Sequence, residues 1–221
     1  MYGTTAGGGA SGPCNNSCGT IFKITTSGTL TTVYSFCSET DCADGAGPES
    51  ALVQGSDGSF YGTTFSGGAG NDHQNGTVFR VTAGGTLKTL YTFCAQAECA
   101  DGDQPEAGLV QDTNGKFYGS TTHGGTGANG GNGVLFSIST GLRPFVETEP
   151  GSGEVGAAVK ILGANLEGAT SVRGNGTAAK FTVVSGLEIR ATVPSGATTG
   201  KVTVETAGGT LSSNVSFRVK P

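Results

Sequence analysis

GTIFKITTSGTLTTVYSFC, residues Gly19–Cys37, returns as GTVFRVTAGGTLKTLYTFC at Gly76–Cys94. Around it, YGTT at Tyr2–Thr5 returns at Tyr61–Thr64 and again as YGST at Tyr118–Thr121. Phe60 to Phe117, Leu30 to Leu87 and Cys37 to Cys94 are each 57 residues apart. A fixed period of that size marks a propeller or a solenoid. Such scaffolds mostly present binding surfaces, whereas an enzyme needs a site that is not repeated.

One full repeat reads as four strands. Ala51–Gln54 is short and apolar. The turn Ser56-Asp57-Gly58 leads into Ser59–Thr64, an Asp-Gly hairpin signal between β-formers. After a Gly-rich loop, Thr77–Thr82 alternates apolar and polar residues as a half-buried strand does. Ala83-Gly84-Gly85 then turns into Thr86–Phe93. A longer loop with a Cys pair and a DG-x-x-PE string, Asp44–Glu49 or Asp101–Glu106, connects to the next repeat.

Four antiparallel strands with a Gly-Gly pair after the second resemble a kelch-type propeller blade in layout, though not in residue signature. The ordered strings YGTT, GG, GTVFRVT, LYTF, DG, P and LVQ over residues 1–139 resemble the GloVer tandem repeat, a bacterial family of surface or exported proteins. That resemblance assigns no biochemical role. The third repeat reads as strands at Gly108–Gln111, Lys116–Thr121 and Gly133–Ser137, and the first as the last three strands of a blade. About two and a half blades fall short of the roughly four needed for a closed ring. The expectation is a truncated chain whose further repeats and export signal lie upstream, and which self-associates through open blade edges if made alone.

From Leu142 the composition changes. Apolar runs at Val159–Leu162, Thr170–Val172, Lys180–Val184, Glu188–Val193, Lys201–Glu205 and Val215–Val219 are separated by Gly, Asn, Pro and Ser turns. Their spacing predicts a small β-sandwich. Gly156–Gly163, Asn165–Val172, Asn175-Gly176, Val193–Gly200 and the closing F-x-V resemble an IPT/TIG domain, an immunoglobulin-like module that in surface proteins serves as spacer or partner-binding unit. Arg173 departs from that pattern, which often carries an aromatic or apolar residue there. The fold class expected is all-β: propeller-like repeats over residues 1–141 and an Ig-like sandwich over 142–221.

Charge divides at the same place. Residues 1–141 hold eleven Asp/Glu against four Lys/Arg, and 142–221 hold six against eight. An acidic repeat region argues against nucleic acid, whose phosphates need clustered Lys and Arg. No apolar stretch approaches the ~18 residues of a membrane span.

All six cysteines sit in the acidic part as Cys14/Cys18, Cys37/Cys42 and Cys94/Cys99. Close pairing and repetition predict three small-loop disulfides and an oxidising compartment, hence secretion or the cell surface. Closing one such loop contributes about 2 kcal/mol, so each bridge chiefly fixes its own loop. Zinc is the competing reading, but the pairs have no His or further Cys ligands nearby in sequence.

Several residues are candidates for a site. Tyr61 and Tyr118, with Tyr2, could stack on sugars, although a repeated tyrosine more simply packs blade on blade. Glu39, Asp41, Asp44 and Glu49 are set against Glu98, Asp101, Asp103 and Glu106 as matching acidic loops. Of these, Asp41, Asp44, Asp101 and Asp103 are candidate calcium ligands, without EF-hand or nonapeptide spacing. Glu49 and Glu106 are the candidate acid and base of a glycoside hydrolase, the enzymatic alternative to a binding protein. His123 is a candidate ligand contact; His73 lies in the equivalent loop at a different position. The main reading is a non-catalytic secreted or surface binding protein that contacts a glycan or a surface protein, with no obligatory cofactor. A structural, self-associating repeat protein is the third reading.

Overall fold

A computed structural model describes residues 1–9, 18–69, 75–127 and 131–221. Cys14 and His73 lie outside the described residues. The fold is all-β, and among the described residues its helical elements are two single-turn 3₁₀ segments, Thr40–Cys42 and Ala97–Cys99. The chain divides into two compact units, Met1–Gln111 with Phe117–Thr140, and Asp112–Lys116 with Gly141–Pro221.

The first unit holds three antiparallel sheets. Strands β1 (Tyr2–Thr5), β2 (Thr20–Ile24) and β3 (Leu30–Ser35) form the first. Strands β4 (Val53–Gln54), β5 (Phe60–Thr64), β6 (Thr77–Val81) and β7 (Leu87–Thr92) form the second, in that order. The third is β8 (Val110–Gln111), β9 (Phe117–Ser120) and β10 (Leu135–Ile138). The period survives down to irregularities. Ile21 pairs with Tyr34 and Phe22 with Thr32, leaving Val33 bulged; Val78 pairs with Tyr91 and Phe79 with Thr89, leaving Leu90 bulged.

The sequence Tyr-Gly follows from packing. Gly62 pairs with Phe79, whose ring lies across it so closely that a Cβ on Gly62 would sit 2.7 Å from Phe79 Cζ. Only glycine leaves the backbone bare enough for that approach. The neighbouring tyrosine points to the other face, since side chains alternate along a strand. There Tyr61 stacks on Phe117 of the next sheet, with ring centroids 4.1 Å apart, as Tyr2 packs on Phe60 at 4.1 Å. Edge-on pairs Phe36–Phe79 (5.1 Å) and Phe93–Phe136 (4.9 Å) repeat the arrangement farther along the sheets.

The second unit is a two-sheet sandwich. One sheet runs β11 (Val146–Glu149), β13 (Ala158–Gly163), β17 (Glu188–Thr192), β16 (Phe181–Ser185); the other runs β15 (Thr177–Ala178), β14 (Ser171–Gly174), β18 (Val202–Thr206), β19 (Gly209–Ser212). The short β12 (Ser152–Gly153) pairs in parallel with β20 (Arg218–Val219). Val159, Ile161, Ile189, Ala191, Val172 and Val204 alternate inward into one core. Each large apolar side chain so enclosed contributes about 1.5–3 kcal/mol.

Arg173 faces solvent beside the buried Val172, so the strand keeps its apolar face. Asn175 and Gly176 both take positive φ and turn β14 into β15. Four strands, β11, β12, β15 and β19, fall outside the expected apolar runs. β11 reads VETE, with Val146 its only apolar residue, and β19 reads GTLS. Conversely, the expected run Val215–Val219 shrinks to Arg218–Val219. Its Val215 is exposed, while Phe217 reaches the core.

Candidate functional site

The acidic residues singled out for chemistry lie on the loops that follow β3 and β7. In each loop a disulfide, Cys37–Cys42 or Cys94–Cys99, encloses a single 3₁₀ turn. The chain then doubles back so that Cys37 N donates to Gly45 O (3.1 Å) and Cys94 N to Gly102 O (3.0 Å). Gly45 has φ +98°, and a Cβ there would strike Thr64 Oγ1, which explains glycine after aspartate at this turn.

The aspartate before that glycine organises the loop. Asp44 is fully buried. It accepts hydrogen bonds from Tyr34 OH (2.8 Å), Ser38 N (3.0 Å), Ser38 Oγ (3.0 Å) and Glu39 N (3.3 Å). Asp101 does the same for Tyr91 OH (2.6 Å), Ala95 N (3.0 Å) and Gln96 N (3.0 Å). Ala95 replaces Ser38, so the later copy has one hydroxyl donor fewer. With donors filling their lone pairs, these carboxylates are set up to hold backbone.

The correspondence of acidic residues assumed from the sequence is corrected here. Asp41 matches Glu98, each with φ 56° and ψ 29°, and Asp44 matches Asp101. Asp103 takes the place of Ala46: Ala46 bridges Ser66, and Asp103 bridges His123. Glu39 has Gln96 as its counterpart. Counting from the second cysteine of each pair gives this alignment directly, whereas matching charge to charge does not.

Electrostatics follow the same contacts. Burial pushes the Tyr34 phenol up to about 12; the Ser38 hydrogen bond opposes this, and the Asp44 carboxylate adds to it. The Tyr91 phenol also stands at about 12, by burial and then by its hydrogen bond to Asp101. For Asp101 burial works upward, but the donations from Tyr91, Gln96 and Ala95 outweigh it and hold the carboxyl below its ordinary value. Asp103 is raised by burial, against the hydrogen bond from Gln104 and the charge of His123. Its Oδ1 is buried and makes no hydrogen bond among the described residues.

The remaining candidates disperse. Tyr61 is 1% exposed, with its OH donating to Asp57 at 3.2 Å, so no ring face is open to a sugar. Asp57 also meets Arg80 at 2.9 Å, a pair that the sequence reading missed. Tyr118 is 40% exposed. His123 is exposed, with Nδ1 3.1 Å from Thr122 Oγ1. Glu49 and Glu106 are exposed, and neither side chain has a hydrogen-bond or ion-pair partner among the described residues. Asp41 is exposed as well.

Among the described residues, the metal-type ligands that come together in a group of three or more are Cys18, Cys37 and Cys42, within 4.8 Å of one another. All three are disulfide-bonded, and sulfur so bonded is not the thiolate that a metal takes. The four aspartates considered for calcium do not form such a group among the described residues. No helix among these residues is long and apolar enough to cross a membrane.

No curated protein matches the chain. A solved structure similar to part of it is that of gamma-CGTase from alkalophilic Bacillus clarkii, at 15% identity over 73% of this chain and 24% of that one, with a TM-score of 0.32. The chain thus spans about a quarter of that protein's length, and a likeness this slight supports no inference about fold or activity. The profile of the Gloeobacter/Verrucomicrobia repeat matches residues 1–184, beyond the last copy of the strings that first disclosed the period. That match spans most of the chain, including all three sheets of the repeat unit, and the chain belongs to the Gloeobacter/Verrucomicrobia repeat family.

Proposed function

We propose that this is a non-catalytic secreted or cell-surface binding protein. In this reading the propeller-like repeats of residues 1–141 present their loops to a glycan or protein partner. Residues 142–221 form an Ig-like domain of the IPT/TIG kind that acts as spacer.

The observation that carries the reading is the use of Asp44 and Asp101. In both copies the central carboxylate of the loop holds backbone amides and a tyrosine, which fixes the loop's shape. Glu49, Glu106 and Asp41 stand outward on that fixed frame. A rigid loop that displays exposed side chains suits recognition, because little ordering entropy is lost on binding. The disulfides Cys37–Cys42 and Cys94–Cys99 support export, since such bonds persist in oxidising compartments.

A pull-down on immobilised polysaccharides and a glycan array, with released sugars read in the same samples, tests the proposal. Retention without release, surviving chelation of divalent cations, is the expected result. Sugar release that disappears in Glu49→Gln or Glu106→Gln would replace binding by hydrolysis.

A further inference from the structure

In the second repeat, β7 fills a slot between two sheets. Its Leu87 packs into the cluster of Tyr34, Phe36, Phe79 and Val81. Thr89 Oγ1 donates to the carbonyl of Ala43 at 3.4 Å. The residues 57 positions farther on are Tyr91, Phe93, Phe136, Ile138 and Ala100. Those five line an open groove of about 380 Å³. β10 ends its sheet, whose order is β10-β9-β8, so among the described residues no strand occupies the place that β7 takes beside β6.

We propose that this groove is a strand-accepting site. It takes, from outside residues 1–221, an extended segment with the repeat's own fourth-strand pattern, laid antiparallel along β10. That pattern is Leu-x-Thr, then Val or Leu, Tyr, Ser or Thr, and Phe, and the chain carries it twice, at Leu30–Phe36 and Leu87–Phe93. The filled slot specifies the occupant. The incoming leucine meets Tyr91, Phe93, Phe136 and Ile138 as Leu87 meets their counterparts, and the threonine hydroxyl donates to the Ala100 carbonyl as Thr89 does to Ala43. Main-chain pairing along the free edge supplies affinity, and alternate side chains in the groove supply selectivity. Its lining includes Ala100 and Asp101 of the second disulfide loop but not Asp41, Glu49 or Glu106, so the site stands whether or not those exposed carboxylates bind a glycan.

The test is a fluorescently labelled peptide GGTLKTLYTF, copied from residues 84–93, titrated into the full chain by anisotropy. Amide exchange is followed in parallel. Saturable binding with slowed exchange across Leu135–Ile138 is expected. The same peptide carrying Leu87→Asp should bind at least about tenfold more weakly, because the leucine's apolar burial is lost. Such peptide variants leave the fold of the chain untouched. Equal binding of a scrambled peptide, protection away from β10, or no saturation would overturn the proposal. So would a concentration-dependent dimer that protects Leu135–Ile138 and resists the peptide, since the occupant would then be a second copy.

Discussion

Tyr61 and Tyr118 occupy the same place in successive repeats, follow the same turn and precede the same glycine, yet one is 1% exposed and the other 40%. Val78 and Leu135 differ more sharply, at 0% and 89%. Nothing within either repeat accounts for this. Tyr61 is buried because Phe117 of the next sheet lies against it, whereas Tyr118 stands on β9, in the last of the three sheets of its unit among the described residues. In a repeat array, burial is therefore a property of neighbours, and a repeated residue does what its neighbour allows.

The sharpest way to break that comparison is truncation of each tyrosine. Tyr61→Ala removes an enclosed ring and should cost about 3–5 kcal/mol. Tyr118→Ala should stay within about 1 kcal/mol. Urea denaturation midpoints measure both, and equal losses would mean that Tyr118 is covered in solution. The two loop aspartates should differ less. Asp44→Ala removes a fully buried carboxylate that accepts from Tyr34 OH, Ser38 Oγ and two backbone amides and should cost about 3 kcal/mol, whereas Asp101→Ala, in a more open loop with one donor fewer, should cost about 1–2 kcal/mol. Asp101 also carries an acid signature. Its carboxyl is depressed in the fold, so its contribution is present above the unfolded value near 3.9 and lost as pH falls through the folded one. A midpoint series from pH 6 to pH 2 should lose that contribution in wild type and not in Asp101→Ala.

Much of the scaffold was legible in the chain. The 57-residue period, the Asp57-Gly58 turn and the β-forming run Thr77–Thr82 place the sheets before any coordinate is known, although β6 is buried almost throughout and not half-buried as its alternation suggested. In the sandwich, Val159, Ile161, Ile189 and Ala191 sit two apart and read as one buried face. The sequence hid β11 because VETE has a single apolar residue, and its strand character comes from pairing with β13. It hid the loop as well. Asp44 lies ten residues after Tyr34, a spacing without meaning until β3 has ended and the disulfide has folded the chain back. Acidic residues read as a cluster looked like metal ligands or a catalytic pair. Only the donors around Asp44 and Asp101 distinguish a carboxylate that holds a loop from one that faces a ligand.

The two loops should differ least in alkali. Tyr34 and Tyr91 each donate to a loop aspartate, and both phenols stand at about 12 in the fold. A tyrosine whose folded value exceeds its unfolded value, near 10, contributes stability that is complete below pH 10 and lost as pH rises through 12. Tyrosinate absorbance against pH should therefore show Tyr34 and Tyr91 among the late phenols, beside Tyr61, whose phenol burial also raises, ionising as near-ultraviolet dichroism falls. Tyr34→Phe and Tyr91→Phe should each remove one late phenol and leave the other in place, because the carboxylate that holds each proton belongs to its own repeat. If either substitution moved both ionisations, the loops would be coupled through the array, and the rule that each repeat answers only to its contacts would need a longer range.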